Sequence, residues 1–114
     1  MEEQLIPIEW EIREVDIKDL KFYVKNPRTI SKAAYGRLNN NLKKFGLCQP
    51  IVVNKDFTII GGHQRVKTLK KQGKKKALIS LPNRELNNRD FEELNIALNK
   101  DIGDWDYEVL AIGS

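Results

Sequence analysis

The sequence predicts a small α+β domain, with a mixed β-sheet and three to four helices. Near the N-terminus, apolar and charged residues alternate, which is typical of a strand with one buried face. Later stretches carry apolar residues at helical spacing, and short β-branched runs lie between them. With 114 residues the chain fits one compact domain. We expect residues 1–114 to form that domain, alone or as the N-terminal part of a longer protein.

The first half of the chain predicts a strand, a turn and a helix. The strand covers residues 8–15, and the Asn-Pro-Arg tripeptide at 26–28 predicts a turn because proline restricts itself and its predecessor. Residues 31–45 predict a helix, with Thr29 or Ser31 as its cap. Its apolar stripe is expected in the core and consists of Ala34, Leu38, Leu42 and Phe45.

The second half alternates strands and helices. Two β-branched runs, at residues 50–54 and 57–60, predict a hairpin that leads into a pair of glycines. A basic helix is expected next, then a strand that ends at a proline, then a helix with acidic residues in its first turns. These three elements and a last short helix are predicted at residues 63–72, 77–81, 88–100 and 107–111.

Composition narrows the classes of function. The single cysteine, Cys48, excludes an intrachain disulfide and a cysteine-based zinc cluster, and it favours a reducing, cytoplasmic setting. No run of about 18 apolar residues occurs, so neither a membrane span nor secretion is predicted. No His, Asp and Glu cluster has metal-ligand spacing, so no preformed metal site is expected. The two tryptophans, Trp10 and Trp105, are expected in the core or against a partner.

Charge is distributed unevenly along the chain. Residues 1–56 carry 10 basic and 8 acidic groups, residues 57–84 carry 8 and none, and residues 85–114 carry 2 and 8, so the three segments are +2, +8 and −6. A basic block of this kind favours a polyanion such as DNA as a partner, although a solvated lysine surface gives the same pattern. Contacts to DNA phosphates, salt-dependent and without sequence specificity, are expected from Lys67, Lys70, Lys71, Lys74, Lys75 and Lys76.

The most informative motif is Ile-Ile-Gly-Gly-His-Gln-Arg at residues 59–65, where a strand passes through two glycines into a helix. Glycines let the backbone approach a ligand closely, and a helix N-terminus presents unpaired N–H groups to an anion. We expect a phosphate site in which Arg28 closes one side, although paired glycines are also common in tight turns. The expected phosphate-binding residues of the motif are Gly61, Gly62, His63, Gln64 and Arg65.

His63 is the only histidine of the chain. At the start of a helix beside Arg65 it is a candidate general base or phosphate donor, although a lone histidine is more often a structural residue. Both interpretations stay open from the sequence.

The order of these features resembles the ParB/sulfiredoxin-like domain, also called the ParB-like nuclease domain. The resemblance rests on Gln-Pro-Ile-Val-Val at residues 49–53, the motif at 59–65, and Leu69 and Gly73 after it, and it covers roughly residues 8–112. It implies a domain that binds a nucleotide or another phosphate group and acts in DNA transactions such as partition, DNA modification or transcription regulation.

The resemblance also implies roles for single residues. In chromosome-partition members of the family the corresponding motif is Gly-Glu-Arg-Arg. Arg65 matches its second arginine, which contacts nucleotide phosphates, whereas His63 replaces the glutamate. Asn99 matches an asparagine that helps to hold a metal-bound triphosphate, such as CTP or ATP with Mg²⁺. Sulfiredoxins carry a nucleophilic cysteine where this chain has His63, so their chemistry is not expected.

Residues 97–100 and the sequence after them are more similar to ParB-like domains joined to DNA methyltransferases in phages and mobile elements, which implies a C-terminal methyltransferase as a partner domain. Three alternatives stay open. The chain could cleave DNA as a nuclease, dock DNA or an acidic protein without catalysis, or transfer a phosphoryl group. The absence of any carboxylate from residues 57–84 disfavours the nuclease, because phosphodiester hydrolysis normally needs a metal held by carboxylates.

Overall fold

The computed structural model describes residues 6–23 and 30–98, which form a mixed four-stranded sheet between two helical layers. In the sheet the strands follow the order β1-β4-β2-β3. The β1–β4 and β2–β3 pairs are antiparallel, and β4 runs parallel to β2. This architecture confirms the predicted α+β class. The strands are β1 (Trp10–Asp16), β2 (Ile51–Val53), β3 (Ile59–Gly61) and β4 (Lys76–Pro82).

Three helices accompany the sheet: α1 (Lys32–Phe45), α2 (His63–Lys71) and α3, described for residues 88–98. The Ser31 hydroxyl accepts the Ala34 N–H at 3.1 Å, so Ser31 caps α1, as predicted. The Asn87 side chain caps α3 in the same way, through the Asp90 N–H at 2.8 Å. A short 3-10 helix after β1 was not predicted. The predicted helix at residues 107–111 lies outside the described residues.

The two faces of the sheet bury two apolar clusters. Strand residues alternate between the faces, so Ile51 and Val53 face α1 and α2, whereas Val52 faces α3. The first cluster includes Leu42 of α1 and both Val66 and Leu69 of α2. The second consists of buried Ile60, Leu86 and Phe91, with Ile8, Tyr23, Val52, Leu94 and Leu98 packed against them. The predicted inward faces of α2 and α3 are thereby confirmed.

Phe45, which was predicted to lie in the core, is on the surface instead and is 66% exposed. Trp10, which was expected either in the core or against a partner, is 37% exposed and is therefore not a core residue. Helix α1 ends at Phe45, and Leu47 packs against the first cluster from beyond the Gly46 turn, which has a φ of 76°. Leu47, rather than Phe45, thus packs against this cluster.

The two edges of the sheet differ. Beside β3, the backbone of Lys21 donates to the Phe57 carbonyl at 2.9 Å and accepts from the Ile59 N–H at 2.8 Å. Among residues 6–23 and 30–98, β1 pairs only with β4. None of the helices in this part of the chain has the length and apolar composition to span a bilayer.

Candidate functional site

The predicted phosphate turn joins β3 to α2 within one residue. Gly62 separates the end of β3 from the first residue of α2, with φ 106° and ψ 18°. This left-handed conformation suits glycine, and an added Cβ would lie only 2.7 Å from Ile51 Cδ1. The first carbonyl to serve α2 is that of Gly62, which accepts the Val66 N–H at 3.0 Å. As at the start of any α-helix, the peptide N–H groups of the first turn of α2 point towards its N-terminal end, where an anion can bind.

Arg65 folds back over this turn. One of its terminal nitrogens, Nη2, lies 3.2 Å from the position that a Cβ on Gly62 would occupy. The other, Nη1, donates to the Gln49 carbonyl at 3.1 Å, so the guanidinium bridges the turn and the linker before β2. Burial lowers the pKa of Arg65 from its ordinary value, yet arginine stays charged in proteins. A partly desolvated cation with N–H donors left over favours a nearby anion.

His63 is tied to the segment that borders β3. Its Nε2 accepts the Tyr23 N–H at 3.2 Å, so this nitrogen carries no proton. The ring lies against Phe22, with 5.9 Å between the centroids. Burial lowers the pKa of His63 below its ordinary value of 6.5, and the charge of Lys67 lowers the pKa further. A general base acting through Nε2 would first have to give up the bond to Tyr23.

The other predicted site residues have mixed positions. Gly61 is buried, and an added Cβ there would lie 2.7 Å from Leu98 Cδ1. The absence of a side chain at Gly61 therefore allows α3 to pack closely against the end of β3. Gln64 is half-buried in the first turn of α2. The predicted contributions of Arg28 and Asn99 fall on residues that lie outside the described ranges.

The six predicted DNA-binding lysines are all exposed, and five of them divide into three groups. The sixth, Lys75, accepts the Ile17 N–H at its backbone carbonyl. Lys67 and Lys70 stand over the Phe22 ring at 6.0 and 5.5 Å. Lys71 stands 5.0 Å from the Tyr35 ring and, with Lys74, borders a groove between α1 and α2. Lys76 instead bonds the Asp16 carboxylate at 2.9 Å, and that hydrogen bond raises the pKa of Lys76.

Sequence reasoning did not identify several residues of this region. Tyr23 and Gln49 contribute only backbone atoms to the bonds with His63 and Arg65. Because every residue type has these atoms, such a contact cannot be inferred from the identity of the residue. Asn95 is buried and donates to the Ile60 carbonyl at 2.9 Å, which fixes α3 beside the glycine turn. Asn95 could have been identified from the sequence, because it occupies the apolar face of α3 four residues after Phe91.

Known proteins are similar to this chain. Residues 2–101 match the family model of the ParB N-terminal domain. A stretch of 54 residues, 45% of this chain, is 39% identical to the probable chromosome-partitioning protein ParB of Campylobacter jejuni, and it spans 19% of that protein. The chain thus corresponds to a minor part of that relative.

Two solved structures of Caulobacter crescentus ParB, both C-terminally truncated, are similar to the chain. One, complexed with CTP-γ-S, has a TM-score of 0.70 and 25% identity, with 88% of this chain and 62% of that one covered. The other, complexed to the centromeric parS site, has a TM-score of 0.62 and 28% identity over 76% of this chain and 46% of that one. By the match over residues 2–101, the chain belongs to the ParB N-terminal domain family.

Proposed function

We propose that this chain binds a nucleoside triphosphate, with CTP as the first candidate, through its phosphate groups at the turn between β3 and α2. The backbone N–H groups of His63 and Gln64 would donate to phosphate oxygens at the helix N-terminus. Arg65 would neutralise the phosphate charge, and Arg28 and Asn99 are the further residues predicted to contact the nucleotide.

The position of the Arg65 guanidinium carries this proposal. Its Nη2 lies over Gly62, where an added side chain would collide, and its Nη1 uses a carbonyl that a phosphate can replace as acceptor. The similarity to a Caulobacter ParB that was solved with CTP-γ-S supports a nucleotide rather than an isolated phosphate. We propose that magnesium arrives with the triphosphate. Among the described residues, no group of three His, Cys, Asp or Glu side chains could hold a metal ion.

The test is a calorimetric titration with CTP, ATP, GTP and UTP. We expect saturable binding of CTP and a loss of about tenfold or more in affinity for Arg65→Ala, because a charge-assisted hydrogen bond to phosphate contributes at least about 1.4 kcal/mol. Arg84→Ala removes an exposed arginine of the same basic segment and is the matched control. Absence of binding to every triphosphate, or equal affinity of the Arg65→Ala and native chains, contradicts the proposal.

DNA binding is a second function of the same domain, and the groove between α1 and α2 supports it. The groove has a volume of about 480 Å³, and its lining includes three lysines and no carboxylate. The lining residues are Tyr35, Asn39, Lys43, Lys71, Gln72 and Lys74. Lysines on two neighbouring helices offer several ammonium groups to one phosphate backbone. The similarity to ParB solved on its parS site agrees with a role on DNA.

Nuclease activity and phosphoryl transfer remain rivals. Incubating the pure chain with plasmid tests the nuclease, and incubating it with labelled CTP and Mg²⁺ tests phosphoryl transfer. Each of these activities would form a reaction product, whereas a domain that only binds its ligands would not. The bond from the Tyr23 N–H to His63 Nε2 favours a structural role for His63 over a catalytic one. The single domain over residues 1–114, a C-terminal methyltransferase, a phage or mobile-element setting and a cytoplasmic location stay predictions.

A further inference from the structure

We propose that a second copy of this chain docks on the open edge of β1, antiparallel and centred on Ile12, so that two four-stranded sheets join into one. This inference concerns a surface remote in the sheet order from the nucleotide turn, and it does not depend on the proposed function.

The first observation is that, within residues 6–23 and 30–98, one edge of β1 has no strand beside it. All seven residues of β1 pair with β4 on one side, from Trp10 opposite Pro82 to Asp16 opposite Lys76. On its other side, no strand in residues 6–23 or 30–98 pairs with β1. The opposite edge of the sheet, at β3, is bonded to the backbone of Lys21. An edge strand that displays unpaired N–H and C=O groups can accept another strand.

Symmetry restricts how two β1 strands can pair. Two identical strands pair antiparallel about a twofold axis normal to the sheet, which keeps each face on its own side. One residue must then lie opposite its own copy, because side chains alternate between faces. Each position of β1 can be tried as that central residue.

Charge selects Ile12 as the centre. With Ile12 opposite itself, Glu11 lies opposite Arg13 of the other copy, twice. Every other centre in β1 sets like charges opposite each other: a Trp10 centre pairs Glu9 with Glu11, and a Val15 centre pairs Glu14 with Asp16. The remaining centres oppose a charged residue to its own copy, and they are Glu11, Arg13, Glu14 and Asp16.

The required side chains are exposed and available. Glu11 and Arg13 now bond each other along the strand at 3.2 Å, and both are exposed, so they can exchange this pair for two pairs between copies. On the other face of the strand, Ile12 is 55% exposed and would meet its own copy at the centre. Trp10 shares that face and is exposed as well. The interface thus combines an apolar centre on one face with two opposite-charge pairs on the other.

The experiment is sedimentation equilibrium of the nucleotide-free full chain over a concentration series that reaches the millimolar range. We expect a reversible dimer. Glu11→Arg and Arg13→Glu should each weaken it by about tenfold or more, because each replaces two attractive cross-strand pairs by two repulsive ones. Ile12→Lys, which opposes two ammonium groups at the centre, should weaken it as well. Matched charge reversals at exposed sites elsewhere, Glu93→Arg and Arg84→Glu, should leave the dimer intact.

An equimolar mixture of two β1 variants provides the most discriminating test. The Glu11→Arg and Arg13→Glu chains repel themselves but attract each other, so an equimolar mixture should form heterodimers. The double variant E11R/R13E should recover the native homodimer. A native chain that stays monomeric throughout overturns the proposal. So does a dimer that the β1 variants leave unchanged, or a mixture that associates no better than its separate components. Far-UV circular dichroism of each variant confirms that the chains compared are folded.

Discussion

At the scale of single residues, two glycines have different roles. Gly62 adopts a φ of 106° and has no room for a Cβ beside Ile51. Gly36 lies within α1, and a Cβ there would meet no atom within 4 Å. Only the first glycine is required by the geometry of the turn.

We therefore predict that Gly62→Ala lowers the free energy of unfolding by about 1–3 kcal/mol, the usual cost of a strained backbone, with the clash against Ile51 in addition. Gly36→Ala, its control, should raise the free energy by about 0.5–1 kcal/mol because alanine favours a helix interior. Urea unfolding measures both. A neutral Gly62→Ala variant would show that the turn relaxes and that its shape is not fixed by glycine.

His63 makes a pH-dependent contribution to stability. Its pKa is lowered on folding, so the unfolded chain binds the proton more readily, and stability decreases as the pH falls below 6.5. We predict a decreasing free energy of unfolding between about pH 7.5 and 5.5, the range in which histidine titrates. The chain has one histidine, so His63→Asn should flatten the slope in urea unfolding over this range. An unchanged slope in that variant would assign the effect to other groups.

At the scale of secondary-structure elements, buried asparagines fix the parts that local sequence does not hold. Asn54 follows β2 and bonds both backbone groups of Leu86, donating to its carbonyl at 3.1 Å and accepting its N–H at 2.8 Å. It thereby ties the segment before α3 to the hairpin of β2 and β3.

We predict that Asn54→Ala lowers the free energy of unfolding by about 2 kcal/mol, because it leaves the buried backbone groups of Leu86 without partners. Asn40→Ala, on the exposed side of α1, should change it by less than about 0.5 kcal/mol. Chemical denaturation of the two variants measures the difference. Equal effects would mean that water replaces the Asn54 side chain at no cost.

Most elements could be predicted because their signals are local. Alternation along β1, the stripe that includes Leu38 and Leu42, and glycine at the β3–α2 turn each depend on neighbours in sequence. The 3-10 helix at Ile17–Asp19 has no such periodicity. The exposure of Phe45 depends on how α1 ends against the sheet, so no pattern within the helix could reveal it.

The residues of the candidate site could be predicted from the sequence, but the contacts that they make could not. The motif itself indicated that Gly62 and Arg65 would share one turn. It could not indicate that Arg65 reaches Gln49, or that His63 bonds the backbone of Tyr23, 40 residues away in sequence. These contacts arise when the sheet forms, and they use backbone atoms that every residue has.

At the scale of the whole molecule, the lysines of the basic segment, residues 57–84, have different surroundings. Lys71 and Lys74 border the groove between α1 and α2, whereas Lys76 is bonded to Asp16 on β1. A simple count of lysines thus overstates the surface that is available to DNA.

We predict that double-stranded DNA binds the chain with a steep salt dependence, measured by fluorescence anisotropy. Lys71→Gln and Lys74→Gln together should reduce the slope of log affinity against log salt by about 2, one for each lost phosphate contact. Lys76→Gln removes one charge, half as many as the pair, and should reduce the slope by less than half as much, since Asp16 already neutralises Lys76. Equal effects of all three substitutions would indicate a general charge effect rather than a defined groove.

The proposed function depends on where an anion binds, and a crystal structure of the chain grown with CTP tests this most directly. We predict phosphate oxygens within hydrogen-bond distance of the backbone N–H groups at the start of α2, with the Arg65 guanidinium turned from Gln49 onto the phosphate. Phosphates bound elsewhere, or a nucleotide-free turn with Arg65 still on the Gln49 carbonyl, would contradict it.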